Sequence, residues 1–222
     1  MALTLAEEFL LLAYDESSGR PLAGGTEINC GLAGSLLLEL TLHGRVDLAH
    51  GRVAAIDRTP VGNPEVDTAL DRIGDELKPR KADWWVRKLQ GKELQRGLLD
   101  GLAQRGVLSE EQHRVLGLFP VQRFPERDPG PELAVRTRLA DTLRGVQQAD
   151  DRTAALLCLV HACRMDRKVF PDIDRGLVKR RMKEISDGAW AGKAVRSVID
   201  SINAAVIAAV VAASTAGGAA SG

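Results

Sequence analysis

Cys158, His161 and Cys163 fall on one short segment, and thiols and imidazoles at close spacing are the groups that hold zinc. On a helix, however, positions 158 and 163 point about 140° apart at about 100° per residue, so ligands from that one turn cannot surround a metal. The segment reads instead as a core helix carrying a hydrogen-bonded histidine. Cys30 brings the cysteines to three, with no CxxC spacing, which is the pattern of reduced thiols in a cytosolic protein. The glycines of GLAG and AGGT lack the preceding strand that a phosphate-binding loop or a nucleophile elbow requires. Four histidines and many carboxylates offer no acid–base pair that spacing can locate. The sequence predicts a non-catalytic protein with no metal and no cofactor.

The charge pattern points to a different chemistry, the electrostatic holding of an anion. Thirty basic and thirty acidic residues leave no net charge, so coating nucleic acid through bulk charge is excluded. Locally the balance is uneven: residues 1–77 carry five Arg and no Lys against thirteen Asp and Glu. Between 78 and 105, Lys78, Arg80, Lys81, Arg87, Lys88, Lys92, Arg96 and Arg105 face only Asp83, Glu93 and Asp100, with Trp84 and Trp85 among them. Aromatic rings beside cations suit a lipid headgroup layer, where each basic residue contributes about 1 kcal/mol on an anionic surface. Lys92 and Arg96 are four apart on one face of a helix that begins just after Gly91, where free N–H groups and the positive end of the dipole add to their charge. Trp84 or Trp85 on the preceding helix would supply the interfacial ring. The blander alternatives are core packing for the tryptophans and a solvated face for the cations. A second basic stretch, Arg164 to Lys183, sets eight Lys and Arg against Asp166, Asp172 and Asp174, and a solvated helix surface is again the alternative.

Helices must position these residues, since a chain 45% hydrophobic but only 4% aromatic favours a Leu, Val, Ile and Ala core built from helices. Thr4 with Glu7 is a capping box for a first helix through Leu12. A second, central helix is predicted from about Gly31 to His43, apolar nearly all round and stopped by Gly44. Two β-prone runs around Ala49-His50-Gly51 predict a hairpin. Val66, Ala69, Leu70, Ile73 and Leu77 form one stripe of a helix over 65–77. Helices over 82–90 and 92–105 follow, and Ser109 with Gln112 offers a second capping box. Residues 118–128, where Phe119, Val121 and Phe124 lie between prolines, predict a projecting hairpin with exposed apolar side chains. Helices over 133–149, 151–163, 174–186 and 191–213 complete a mainly α fold, a single helical domain with short β-hairpins, and 214–222 is a flexible tail. The apolar segment from Ile202 to Ala213 is shorter than the roughly 20 residues of a bilayer span and reads as a buried terminal helix. Glu7 and Glu8 stand where a signal peptide would be apolar, so the expected location is cytoplasmic. Helix followed by hairpin is also the grammar of a winged helix, but the helix before the first hairpin is apolar where a DNA-reading helix would be basic.

In order along the chain, LTLAEEFLLLAYD, GLAGSLLLELTLHGRVDL, PVGNPEVDTALDRI, LAQRGVLSEEQ and ALLCLVHACR resemble blocks of the Golgi phosphoprotein 3 family, over a domain of 1–213. The resemblance implies one mainly helical domain that docks peripherally on membranes by binding phosphatidylinositol 4-phosphate, and an adaptor that retains glycosyltransferases through their cytosolic tails. Residue by residue, the tryptophan of the family's headgroup pocket falls on Gly24 or Gly25, its arginine in the central block on Ala33, and its two later arginines on Lys92 and Gln95, with Arg96 adjacent. Lys92 keeps the charge, but as a point charge where arginine offers a planar fork. These departures, and a composition rich in Ala, Gly and Arg, resemble a bacterial branch. The expected headgroup site is therefore Lys92, Arg96 and Gln95 with Trp84 and Trp85. The expected partners are an anionic phospholipid surface, tails of membrane proteins and, through the hairpin, a second copy of the chain. The alternative is an accessory protein or enzyme for a lipid-like or isoprenoid ligand held in an apolar cleft among the Leu-rich helices.

Overall fold

In the computed structural model, which describes residues 2–115, 119–187 and 193–218, Thr4 caps α1 (Leu5–Leu12) as its sequence predicts. The Thr4 hydroxyl accepts from the Glu7 amide and the Glu7 carboxylate accepts from the Thr4 amide. α2 (Gly25–Leu42) follows. It starts at Gly25 rather than Gly31 because its first turn is polar and exposed, so hydrophobic periodicity carries no sign of it. From Cys30 to Thr41 every residue of α2 is buried, which leaves no face free to lie in a DNA groove. Gly44, with φ of 64°, ends this segment in the left-handed conformation that glycine adopts without strain.

β1 (Val46–Ala49) and β2 (Arg52–Ala55) form the expected first hairpin, with Val46 opposite Ala55 and Ala49 opposite Arg52. A third strand, β3 (Arg80–Lys81), pairs with β2; two residues are too short for any period to show. Between them, α3 (Pro64–Asp75) buries Val66, Ala69, Leu70 and Ile73. Leu77, expected on the same stripe, is 96% exposed, because Glu76 turns extended and ends the helix before it. α4 (Ala82–Leu89) and α5 (Lys92–Gln104) match expectation closely.

The second capping box is overturned. Ser109 and Gln112 do not open a helix; the chain there enters β4 (Glu111–Val115), which pairs with β5 (Phe119–Arg123). Pairing with a later segment overrides a local capping signal. The hairpin therefore sits earlier than 118–128. Its base is tied down by the Ser109 amide donating to the Pro125 carbonyl at 2.8 Å and the Glu126 amide to the Glu16 carbonyl at 3.0 Å. Phe124, expected exposed, is buried with the Arg96 guanidinium over its ring, and the side chains of Phe119 and Val121 lie outside the described residues.

α6 (Gly130–Arg144) stops at a left-handed Gly145 rather than at Ala149. α7 (Asp151–Ala162), the short α8 (Asp166–Val169) and α9 (Arg175–Asp187) follow. α10 (Lys193–Gly218) continues past Ala213 into the segment expected to be a flexible tail; the expected start at Ala191 and the end of the tail lie outside the described residues. Among the described residues no helix is long and apolar enough to cross a membrane.

α2 is the axis of the core, with α1, α3, α4, α5, α7 and α10 packed against it. Close approach is what its glycines serve: a Cβ at Gly31 would lie 2.2 Å from Phe9 Cζ of α1, and one at Gly34 2.7 Å from Val206 Cγ2 of α10. Ser35 and Thr41 return their hydroxyls to the Gly31 and Leu37 carbonyls, so they sit in this apolar interior without an unmet hydrogen bond.

Candidate functional site

β3, α4 and the start of α5 carry the cationic run. The β2–β3 pairing anchors Arg80 and Lys81, and α4 turns Ala82, Trp85, Val86 and Leu89 inward, which at helical period leaves Arg87 and Lys88 in solvent. Within this run the two kinds of cation behave differently. Arg80 pairs with Glu76 at 3.0 Å, Arg87 with Asp83 at 2.9 Å, and Arg96 with both Asp100 and Glu110 at 2.8 Å. Lys78, Lys81, Lys88 and Lys92 are exposed, and among the described residues none of the four enters an ion pair. A planar fork with five donors suits neighbouring carboxylates, whereas a hydrated ammonium on a flexible stem stays in water.

The residues singled out from sequence therefore separate. Lys92 is the first residue of α5 and is exposed. Arg96 shares its face, but the hydrogen bonds it donates to Asp100 and then Glu110 raise its pKa and occupy its charge, and its Nη1 also donates to Gln122. Gln95 donates to the Tyr14 hydroxyl at 2.7 Å, whose pKa is raised by burial. Trp85 is 1% exposed and so belongs to the core, which removes it as an interfacial ring. Trp84 stays half-buried, edge-on to Trp85, with Arg80 over its ring at 5.1 Å. Gly24 caps α2 without a side chain, and Ala33 is fully buried. A hollow of about 340 Å³ beside the α5 N-terminus is lined by Arg72 and Lys88 but also by Glu65 and Glu93, so its charge is mixed.

Cys30 and Cys163 are held as protonated thiols. Cys30 donates to Gln90 Oε1, and its thiol is pushed up to about 11 by burial and by Glu27. Burial raises Cys163 further. Thiols held protonated are poor nucleophiles and poor metal ligands. His161 bonds Asp166 through Nδ1 at 3.0 Å, the hydrogen-bonded histidine expected on this helix.

Two charged clusters escaped the sequence reading. Glu8 and Glu39, both buried, converge on Arg152, with Nε 3.3 Å from Glu8 and Nη1 3.2 Å from Glu39. Arg138 adds a second bond to Glu8 at 2.8 Å, and the Leu5 amide donates to Glu39 at 2.5 Å. In the second cluster, Glu16, Glu126 and Glu132 bring carboxylate oxygens within 4.8 Å of one another. Burial, the hydrogen bond to Glu132 and the charges of Glu132 and Glu16 push the Glu126 carboxyl up to about 8, with Arg136 pulling the other way.

A raised carboxyl pKa means that the folded state binds more protons than the unfolded chain between about 4.5 and about 8. This contribution is present below that window and is lost as pH rises through it. Glu126 is only partly buried, so the effect is about 1 kcal/mol after screening, or about 2–4 °C in melting temperature. Melting should fall by that amount more in the wild type than in Glu126→Gln between pH 5 and pH 9; identical curves would show that the carboxyl titrates normally.

A helical domain built on a buried central helix, with a hairpin at each of two helix ends and a lysine surface over β3 to α5, is the class that fold and site define. The family model described as Golgi phosphoprotein 3 (GPP34) matches residues 5–202, and the chain belongs to this family. It is similar to vacuolar protein sorting-associated protein 74 of Eremothecium gossypii, at 26% identity over 210 residues, a match covering 78% of this chain and 62% of that protein.

Proposed function

We propose that this protein is a non-catalytic peripheral membrane adaptor that holds anionic lipid headgroups on Lys78, Lys81, Lys88 and Lys92, with Trp84 as the ring nearest the interface. The observation that carries this reading is the division of labour among the cations: arginines of the segment are bound to carboxylates, while its four lysines are exposed without an ion pair among the described residues. Family membership supports it, since the resemblance implies phosphoinositide-dependent docking and recognition of membrane-protein tails. Arg96 then acts as a positioning residue that ties the start of α5 to Glu110 and Gln122 beside the hairpin.

This site selects charge rather than a particular headgroup, because the positions of the family's tryptophan and arginines hold Gly24, Gly25, Ala33 and Gln95. Sedimentation with vesicles tests both statements. Binding should be strong on phosphatidylserine vesicles, weak on phosphatidylcholine, and lost as salt rises, since exposed charges are screened over about 8 Å at physiological ionic strength. At matched surface charge, phosphatidylinositol 4-phosphate should improve on phosphatidylserine by less than about twofold. Equal binding to neutral vesicles would overturn the electrostatic surface, and a large preference for the phosphoinositide would show a stereospecific pocket.

A further inference from the structure

The end of α7, α8 and α9 enclose an open cleft of about 530 Å³, well away in sequence from the lysine surface. Its floor is apolar: Phe170, Ile173, Val178 and Met182 present the edges of otherwise buried side chains. Its rim is cationic. Arg175, Lys179 and Lys183 recur every four residues along α9, which places them on one face beside the Val178–Met182 stripe, and Arg167 closes the rim from α8. All four are exposed, and among the described residues none is in an ion pair. This distinguishes them from Arg181, which is held by Glu184 and the Thr142 carbonyl, and from Lys168, which donates to the Leu22 carbonyl.

His161 lines the same cleft with its Nδ1 bound to Asp166, so the ring is oriented and Nε2 is the nitrogen left for a ligand. The hydrogen bond to Asp166 raises the imidazole pKa, which favours the doubly protonated ring as a donor to an anion. The polar edge of the cleft borders a second hollow. His161, Asp166 and Arg167 also line a neighbouring hollow that reaches Ile207, and Ile207 and Val211 are 45% and 40% exposed on α10. An apolar floor under a ring of cations fits a molecule with a dianionic head and one hydrocarbon chain.

We propose that this cleft binds a single-chain lipid phosphate, with the phosphate among Arg167, Lys179, Lys183 and His161 and the chain laid over Phe170, Ile173, Val178 and Met182. The cations supply complementarity to a phosphate monoester, and the floor supplies burial that a free phosphate cannot use. An acidic peptide fits less well, because the lining comes from helices and turns and offers no strand edge to pair with a main chain. The site is separate from the lysine surface, so it stands or falls independently of the membrane-docking reading.

Titration calorimetry on the full chain tests it, with each lipid kept below its micelle concentration. Oleoyl lysophosphatidic acid should bind at least about tenfold more tightly than oleoyl lysophosphatidylcholine, which shares the chain, and than glycerol 3-phosphate, which shares the head. Lys179→Glu with Lys183→Glu should lower the affinity for lysophosphatidic acid at least about tenfold, with the melting temperature and phosphatidylserine-vesicle binding unchanged. Charge reversal at Lys88 and Lys92 should do the opposite, weakening vesicle binding and leaving lysophosphatidic acid alone. Equal affinity for the two lysolipids, glycerol 3-phosphate binding as tightly as the lipid, or a Lys179/Lys183 variant that keeps its affinity would each overturn the proposal.

Discussion

Arg152→Ala should destabilise the fold by about 3 kcal/mol, at the lower end of the range for removing one partner of a buried ion pair. Glu8 and Glu39 are 5% and 3% exposed, so the substitution strips Glu39 of its guanidinium partner and leaves Glu8 with Arg138 alone. Arg152 itself keeps about a quarter of its side chain in solvent, which lets water replace part of the loss. For a chain of this length, 3 kcal/mol corresponds to a fall of about 6–12 °C in melting temperature. Arg152 also donates to the Leu3 carbonyl at 2.6 Å, so the segment before α1 should loosen together with the core. Replacing Glu39 by Gln in the Arg152→Ala background should recover part of the stability, because it removes the stranded charge. A loss below about 1 kcal/mol on thermal or urea unfolding would mean that water already compensates these carboxylates.

The largest functional effect should come from reversing the four lysines. If each contributes about 1 kcal/mol on an anionic surface, removing all four weakens vesicle binding by about 4 kcal/mol, close to a thousandfold at about 1.4 kcal/mol per tenfold. Screening at physiological salt lowers this, so Lys78→Glu, Lys81→Glu, Lys88→Glu and Lys92→Glu together should reduce binding to phosphatidylserine vesicles at least about a hundredfold. Stability should hold, since exposed substitutions usually shift it by less than about 0.5 kcal/mol. Glutamate at Lys81 and Lys92 falls at the starts of α4 and α5, where negative charge is favoured by the helix dipole. Arg96→Gln is the informative comparison: it should leave vesicle binding nearly intact, because that guanidinium is already committed to Asp100 and Glu110. A quadruple variant that still sediments with vesicles would move the membrane surface elsewhere.

The amino-acid sequence determines the helices because the forces that make them act within one or two turns. The Thr4–Glu7 box, the apolar circumference of Leu32 to Leu40, the Val66–Ala69–Ile73 stripe and the stops at Gly44 and Gly106 are all written in neighbouring residues, and their order is enough to resemble a family. The location of the cationic run was legible in the same way, as a local excess of Lys and Arg between 78 and 96. Which of those cations is available was not. Arg96 is neutralised by Glu110, brought back beside the hairpin; Gln95 is taken by Tyr14, 81 residues earlier; and Arg152 finds Glu39 across 113 residues. Coulombic attraction and hydrogen bonding depend on separation in space, and no periodicity encodes a partner from a distant segment. The same reason explains β4, where pairing with β5 overrode the local signal at Ser109 and Gln112. It also explains the cleft under Lys179 and Lys183: its rim is readable as a basic stretch, but its floor exists only because α7, α8 and α9 meet there.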